Sequence, residues 1–171
     1  GNIAIMFPMI TSVEEVQQVK KIAAQIREEL DCEGIVYAPH VELGIMIETP
    51  AAAIISDLLA KEVDFFSIGT NDLTQYTLAI DRQNAMLDQF YQPYHKSVLR
   101  LMKLVADNAH RNHIWCGICG DLGSDLEMTP LFLAMGIDEI SVPPSSILAV
   151  RKKVRETNVS MIQNQLFEKW L

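Results

Sequence analysis

Short apolar runs alternate with longer amphipathic stretches along this chain, and this alternation restricts its possible folds more than any other feature. Five runs are apolar almost throughout, as strands buried on both faces are. They cover residues 3–7, 41–47, 63–68, 114–119 and 137–142. Strands that alternate with helices predict a parallel sheet with right-handed crossovers, which belongs to the α/β class. Five such units fit either a doubly wound sheet or the C-terminal part of a (β/α)8 barrel of the TIM type.

Sequence patterns typical of helices lie between the predicted strands. Ser12 and Glu15 have the spacing of a capping box, and the apolar residues that follow recur at steps of three and four as far as Leu30. Pro50 suits the first position of a second helix, which we expect to continue to Ala60. We interpret residues 31–40 as a polar connection. Further helical patterns lie within the long connection after the third strand and at 98–109, 126–135 and 147–154, and a last one includes Trp170.

The composition narrows the classes of protein that remain. With 171 residues, of which 49% are hydrophobic, the chain can bury a core as one domain. It has no apolar run long enough to span a membrane and no leader sequence, and its three cysteines suggest no disulfide framework, so we expect a cytoplasmic protein. A net charge of -8 argues against nucleic acid as a partner. Because the chain opens abruptly on a strand, we expect it to be a fragment of a longer protein.

Two carboxylates follow neighbouring predicted strands. Glu48 ends the second strand and Asp72 follows the third, so in a parallel sheet both lie over the same edge. Two carboxylates with open coordination positions suit Mg²⁺, which keeps water ligands and shares substrate oxygens. A structural interpretation is also open, in which Glu48 caps the helix at Pro50 and Asp72 is an N-cap or turn residue.

Arg82 follows Asp72 by ten residues within the same connection. Its guanidinium fork suits a phosphate or a carboxylate, but a surface ion pair with the adjacent Asp81 explains it equally well.

The cysteines near the fourth strand form a C-x-x-C sequence, from Cys116 to Cys119, preceded by His110 and His113. A redox pair or a zinc site is disfavoured because residues 116 and 119 of a strand point to opposite faces. Cys119 by itself, at the end of the strand, is the better candidate for a catalytic thiol. The alternative is a small buried hydrophobic residue.

Three segments carry a resemblance to a known family: residues 44–52 (Gly-Ile-Met-Ile-Glu-Thr-Pro-Ala-Ala), residues 64–82 with their Gly-Thr-Asn-Asp-Leu-Thr-Gln-Tyr core, and Cys119-Gly120. They resemble the signature segments of phosphoenolpyruvate-utilising enzymes. Within this group the chain is most similar to enzyme I of the bacterial sugar phosphotransferase system, the phosphoenolpyruvate-protein phosphotransferase. This resemblance implies a (β/α)8 barrel, of which residues 1–171 are the C-terminal part.

The resemblance also implies an activity and its residues. Family members move the phosphoryl group of phosphoenolpyruvate to a histidine on a swivelling domain and release pyruvate, and the phosphotransferase passes it on to a phosphocarrier protein. Glu48 and Asp72 match the magnesium ligands, and Asn71 matches a substrate-binding residue beside the metal. Arg82 matches an arginine on the phosphate, and Cys119 matches the acid that protonates the enolate carbon. Family enzymes dimerise through this domain, so a homodimer is expected.

The chain departs from the family pattern at several points. No segment matches the phosphorylated histidine domain or the first barrel strands with their substrate arginines, so we expect little or no phosphoenolpyruvate binding and no turnover by this chain alone. Asp121 stands where many relatives have Glu. The alternatives are the C-terminal domain of pyruvate phosphate dikinase or phosphoenolpyruvate synthase, a magnesium-dependent barrel lyase, and a non-catalytic dimerisation piece.

Overall fold

Five parallel strands form a single sheet in the computed structural model, which describes residues 3–171. The strands are β1 Ala4–Phe7, β2 Glu42–Ile47, β3 Phe65–Gly69, β4 Trp115–Cys119 and β5 Glu139–Ile140. The helices are α1 Val13–Glu33, α2 Pro50–Ile54, α3 Ser56–Leu59, α4 Thr70–Leu78, α5 Lys96–Arg111, α6 Thr129–Met135, α7 Ile147–Glu156 and α8 Val159–Trp170. Short 3₁₀ turns cover Ala85–Phe90, Asp121–Ser124 and Pro144–Ser146. The prediction of an α/β fold with a parallel sheet is confirmed.

The strand order distinguishes the two architectures that the sequence left open. The strands lie in the order β1-β2-β3-β4-β5, the same as their order in the chain. A doubly wound sheet reverses its strand order at a switch point, and this sheet does not. With right-handed crossovers throughout, sequential order places all helices on one face, as in the wall of a (β/α)8 barrel.

The two faces of the sheet have different surroundings. Side chains on the helix side are buried in one continuous hydrophobic core, which includes Ile45, Phe66, Cys116 and Ile118. The opposite face corresponds to the barrel interior and carries every second residue of each strand. On that face the rings of Phe65 and Trp115 stack with their centroids 4.3 Å apart. The aromatic rings therefore fill the space beneath the carboxyl ends of the strands.

Two predicted helices differ from the structure. Helix α1 continues to Glu33 and ends at Gly34 in the left-handed conformation (φ 68°), so the polar connection begins later than predicted. The helix predicted from Pro50 to Ala60 is interrupted at Ile55, whose backbone leaves the helical region. There the Ser56 hydroxyl donates to the carbonyl oxygen of Ala53 (2.8 Å), and such a side-chain bond competes with the helical pattern.

The fifth strand is much shorter than the predicted 137–142. The N–H of Ile137 donates to the carbonyl oxygen of Phe132, which completes the end of α6, so Ile137 is not available to the sheet. The Asp138 carboxylate accepts the N–H of Cys116 (2.8 Å) and lies 2.9 Å from His110 Nε2, and the Asp138 backbone N–H donates to the carbonyl oxygen of Cys116 (2.9 Å). Glu139 and Ile140 form the strand itself, in register with Gly117 and Ile118 of β4.

The C-terminal helix α8 packs against α6. Phe167 and Trp170 contact the hydrophobic core, and Lys103 lies 5.5 Å from the centroid of the Phe167 ring. The guanidinium of Arg100 donates to the backbone oxygen of Leu171 (2.6 Å). Within residues 3–171, no helix is both long and apolar enough to cross a membrane.

Candidate active site

The predicted site residues converge where β2, β3 and β4 end. Ile47 pairs with Ile68 and Gly69 pairs with Cys119, so the three strands finish at one level. Glu48 directly follows β2, and Asp72 lies three residues after β3. The sheet therefore brings the carboxylates and the thiol to the same rim, as the sequence predicts for parallel strands.

Glu48 is buried at this rim, with 4% of its surface exposed. Its Oε1 accepts the backbone N–H of Met9 (2.7 Å), which fixes the carboxylate toward the loop after β1. Burial raises the pKa of Glu48, the Met9 N–H lowers it, and the nearby Asp72 carboxylate raises it further. The capping interpretation of Glu48 was wrong, because the cap of α2 is Thr49, whose Oγ1 accepts the N–H of Ala52 (3.1 Å).

Asn71 and Asp72 belong to a helix and not to a loop. Helix α4 begins at Thr70, directly after β3, so both residues lie in its first turn. The helical pattern predicted within the connection after the third strand therefore begins at once, where β3 ends. Gly69 occupies the N-cap position, so Asp72 is not the cap. A carboxylate in the first turn is still favoured by the helix dipole, which helps to explain why an acidic residue is tolerated beside Glu48.

Arg82 returns to the site from the far end of α4. Its Nη2 lies 3.4 Å from Asp72 Oδ1, and its backbone N–H donates to Gln75 Oε1 (3.1 Å). The Asp81 carboxylate accepts the N–H of Gln83 instead (2.9 Å), so the alternative of an Asp81–Arg82 surface pair was wrong. Within residues 3–171 the buried Nη1 of Arg82 has no hydrogen-bond partner. An unused guanidinium donor next to two carboxylates suits an anionic ligand.

Cys119 is partly buried at the end of β4, whereas Cys116 is completely buried on the helix side of the sheet. The two thiols are free, as expected for residues on opposite faces. Burial raises the pKa of Cys119, a side-chain contact with Ser67 lowers it, and the Glu48 carboxylate raises it again. The thiol thus remains protonated at neutral pH, which is the state that a proton donor requires.

The histidines that precede β4 do not approach the cysteines as zinc ligands. His110 contacts Asp138 instead, with its Nε2 2.9 Å from Oδ2. Within residues 3–171, no group of three or more His, Cys, Asp or Glu side chains converges in a way that could hold a metal ion.

The donor set nevertheless fits Mg²⁺. Burial raises the pKa of Glu48, and the Asp72 carboxylate lies close enough to raise it further. A divalent cation held by Glu48 and Asp72 would compensate their negative charge. Mg²⁺ commonly takes one or two protein carboxylates and completes its octahedron with water and substrate oxygens. Two carboxylates at an open rim meet that requirement.

Two side chains at the rim were missed by the sequence interpretation. Glu139 of β5 pairs with Gly117, and its carboxylate lies over the space that a side chain at position 117 would occupy. Burial raises the pKa of Glu139. Tyr91 reaches the site from the 3₁₀ segment, and its hydroxyl donates to the carbonyl oxygen of Asn71 (3.4 Å). The alternation of side chains along β5 could have placed Glu139 on the same face as the site, but no local sequence pattern placed Tyr91 there.

Comparison with models of protein families shows the family of this chain. Residues 1–159 match the model described as the PEP-utilising enzyme, PEP-binding domain. The chain belongs to this family. Similar proteins include the phosphoenolpyruvate-protein phosphotransferases of Haemophilus influenzae (48% identical over 92% of this chain) and of Priestia megaterium (45% over 97%). The chain covers 28% and 29% of these two relatives, so it spans little more than a quarter of their length.

Solved structures agree with the barrel assignment of this PEP-binding domain. Protein CitE from Mycobacterium tuberculosis, in complex with magnesium and acetate, matches with a TM-score of 0.59 and 18% identity. The match covers 96% of this chain and 63% of that chain. The citrate lyase beta subunit from the same organism matches with a TM-score of 0.55 and 16% identity, over 88% of this chain and 72% of that one. At such identities the likeness establishes the fold, a partial TIM-type barrel.

Gly120, between Cys119 and Asp121, provides a stability test of the rim. Its backbone (φ 103°, ψ -179°) lies in a region that only glycine adopts readily, and an added Cβ would overlap the Thr70 hydroxyl. We expect Gly120→Ala to lower the free energy of unfolding by about 2–3 kcal/mol, measured by urea denaturation.

The matched control for Gly120 is Gly34, which also has a positive φ (68°) but has open space around its Cα. Gly34→Ala should cost only about 1 kcal/mol, because backbone strain acts there without a clash. Equal losses for the two variants would contradict the close approach of Thr70 to Gly120.

Proposed function

We propose that this chain is the phosphoenolpyruvate-binding part of a phosphotransferase that moves the phosphoryl group of phosphoenolpyruvate to a protein histidine and releases pyruvate. One observation carries the proposal: Glu48, Asp72, Arg82 and Cys119 lie at a single rim, with a buried guanidinium nitrogen that has no partner in residues 3–171. The names of the relatives support the same reaction. By the same argument we place the parent protein in the sugar phosphotransferase system of the cytoplasm.

Each residue has a role that its surroundings support. Glu48 and Asp72 would hold Mg²⁺, and Arg82 would use its free guanidinium nitrogen to bind the phosphate. Asn71, adjacent to Asp72, would bind substrate beside the metal. Cys119 would face the carbon that becomes the methyl group of pyruvate.

Charge neutralisation explains why these residue types are needed. Phosphoryl transfer depends on positioning and on compensation of negative charge more than on covalent help from the protein. When bound, Mg²⁺ would supply Lewis-acid stabilisation of the oxygens that carry negative charge. Arg82 adds a cation that cannot be deprotonated, and its pairing with Asp72 holds it at the rim.

Proton supply is the task of Cys119. When the phosphorus–oxygen bond breaks, the phosphoryl group passes to the histidine nitrogen and the organic product is an enolate, which needs one proton on carbon three. Burial raises the pKa of the Cys119 thiol, so the proton is still present at neutral pH. A thiol delivers it as a general acid and then regains a proton from solvent.

Phosphoenolpyruvate binding by the 171-residue chain tests how much of the site it contains. We expect weak or undetectable binding in calorimetry with Mg²⁺ present, because a single arginine at the rim leaves much of the substrate's negative charge uncompensated. The same titration with a protein that includes the remaining barrel strands is the positive control. Micromolar affinity for the 171-residue chain would contradict the division of the site between two parts of a barrel.

Partners follow from the same proposal. A phosphorylatable histidine domain and a phosphocarrier protein would receive the phosphoryl group.

We also propose a homodimer, since β1 and β5 are edge strands and unpaired edges favour association. Exposed apolar side chains such as Ile22 on α1 and Met86 support this. Light scattering of the 19.2 kDa chain decides the point, because a clean monomer would contradict it.

A further inference from the structure

The side-chain amide of Asn71 has both of its polar atoms engaged by a single residue. Its Nδ2 donates to Asp121 Oδ2 (3.2 Å), and its Oδ1 accepts the backbone N–H of Asp121 (3.2 Å). A carboxylate only accepts and a backbone N–H only donates, so the two bonds together allow one orientation of the amide. A flipped amide would face the N–H with its own donors and the carboxylate with its own acceptor.

The backbones around this pair are held by other contacts. Thr70 Oγ1 donates to the carbonyl oxygen of Cys119 (2.9 Å), which joins the start of α4 to the end of β4. The Tyr91 hydroxyl donates to the Asn71 carbonyl. Within residues 3–171, the Asn71 side chain forms hydrogen bonds only with Asp121. Removal of the Asp121 carboxylate would therefore break the Nδ2 bond, leave the amide held only through the backbone N–H of residue 121, and keep the backbone in place.

One donor of the amide remains for a ligand. An asparagine amide carries two N–H hydrogens, and the bond to Asp121 uses one of them. The second hydrogen is then held in a fixed direction at the rim, next to Asp72. A donor that is already oriented loses less conformational entropy when it binds a substrate oxygen.

We propose that Asp121 is a positioning residue that fixes the orientation of the Asn71 amide, so that its second N–H is presented to the substrate. This proposal rests on the proposed binding of phosphoenolpyruvate by Asn71 and specifies how that residue is prepared for it. The competing role for Asp121 is purely electrostatic, since its negative charge lies near the place of an anionic substrate. The two roles differ in what an uncharged hydrogen-bond acceptor at position 121 should do.

Mobility of the Asn71 side-chain amide, measured by ¹⁵N relaxation in the 171-residue chain, tests the proposal. For wild type we expect an order parameter near that of rigid backbone, about 0.85, and for Asp121→Ala a clearly lower value, because only the bond from the backbone N–H of residue 121 still holds the amide. Asp121→Asn should retain the rigid value because its side-chain oxygen can accept the same bond. Glu127→Ala removes an exposed carboxylate from the same segment and should match wild type.

Three results would overturn the proposal: an amide that is mobile in wild type, an amide that stays rigid in Asp121→Ala, or an Asp121→Asn variant that behaves like Asp121→Ala. The wild-type measurement alone decides the first, so the test does not depend on how well a variant folds. No phosphoenolpyruvate is needed, so failure of the proposed phosphotransferase activity would leave this outcome unchanged. Failure of the positioning role would in turn leave the phosphotransferase proposal standing.

Discussion

Replacing Cys119 with alanine should lower the rate of pyruvate formation by about 10²- to 10⁴-fold in the phosphotransferase that we propose contains this chain, which is the usual contribution of a general acid. The Michaelis constant for phosphoenolpyruvate should change little. The thiol lies at the end of β4 with a raised pKa, where it can lose a proton to the enolate but contributes no charge to substrate binding. Steady-state kinetics of pyruvate release give both quantities.

A second cysteine variant shows whether the loss of rate is specific to Cys119. Cys32 is free and exposed, far along the chain from the rim, so Cys32→Ala should keep the wild-type rate. Cys116 is a poor control because it is completely buried in the core and its loss would leave a cavity. If Cys119→Ala kept full activity, a magnesium-dependent lyase, which requires no thiol, would explain the site better.

Glu48→Gln should weaken Mg²⁺ binding at least about tenfold, because it removes one of two negative charges that face the cation. The amide keeps an oxygen that can accept the Met9 N–H, so the local hydrogen bond can survive. Calorimetric titration with Mg²⁺ measures the affinity directly. Glu127→Gln, an exposed site away from the rim, is the matched control. Unchanged affinity in Glu48→Gln would contradict the assignment of Glu48 as a ligand.

Glu48→Gln should also change how the stability of the metal-free protein depends on pH. Burial raises the pKa of Glu48, so the folded state disfavours its charged form. For an acid with a raised pKa, stability is highest below the unfolded-state pKa and falls as the pH rises through the folded-state pKa. Glu48→Gln should therefore be at least as stable as wild type at pH 7 and lose less stability as the pH rises above the usual glutamate pKa, as urea denaturation would show.

Sequence reasoning located the strands and the rim because both depend on regular patterns. Apolar runs of strand length are bounded by residues such as Pro50, and parallel strands end at one edge. The prediction that Glu48 and Asp72 follow adjacent strands needed only this rule, and the pairing of β2 with β3 agrees with it.

The remaining details depend on contacts that no local pattern encodes. Asn71 and Asp72 are poor helix formers and follow a glycine, so they look like a loop, yet packing of α4 against the sheet makes them its first turn. The short β5 results from the way α6 ends at Gly136. Tyr91 and Asp121 approach Asn71 only because separate connections fold over the same rim.

The most direct test of the central claim follows labelled phosphate from phosphoenolpyruvate in the phosphotransferase that we propose contains this chain. With Mg²⁺ present, we predict that the label appears on a histidine of the protein as an acid-labile, base-stable phosphoramidate, with one pyruvate released for each phosphoryl group transferred. Asp72→Asn should abolish this labelling. Absence of labelling in wild type with Mg²⁺ and phosphoenolpyruvate, or cleavage of a carbon–carbon bond in a carboxylic acid substrate instead, would contradict the account.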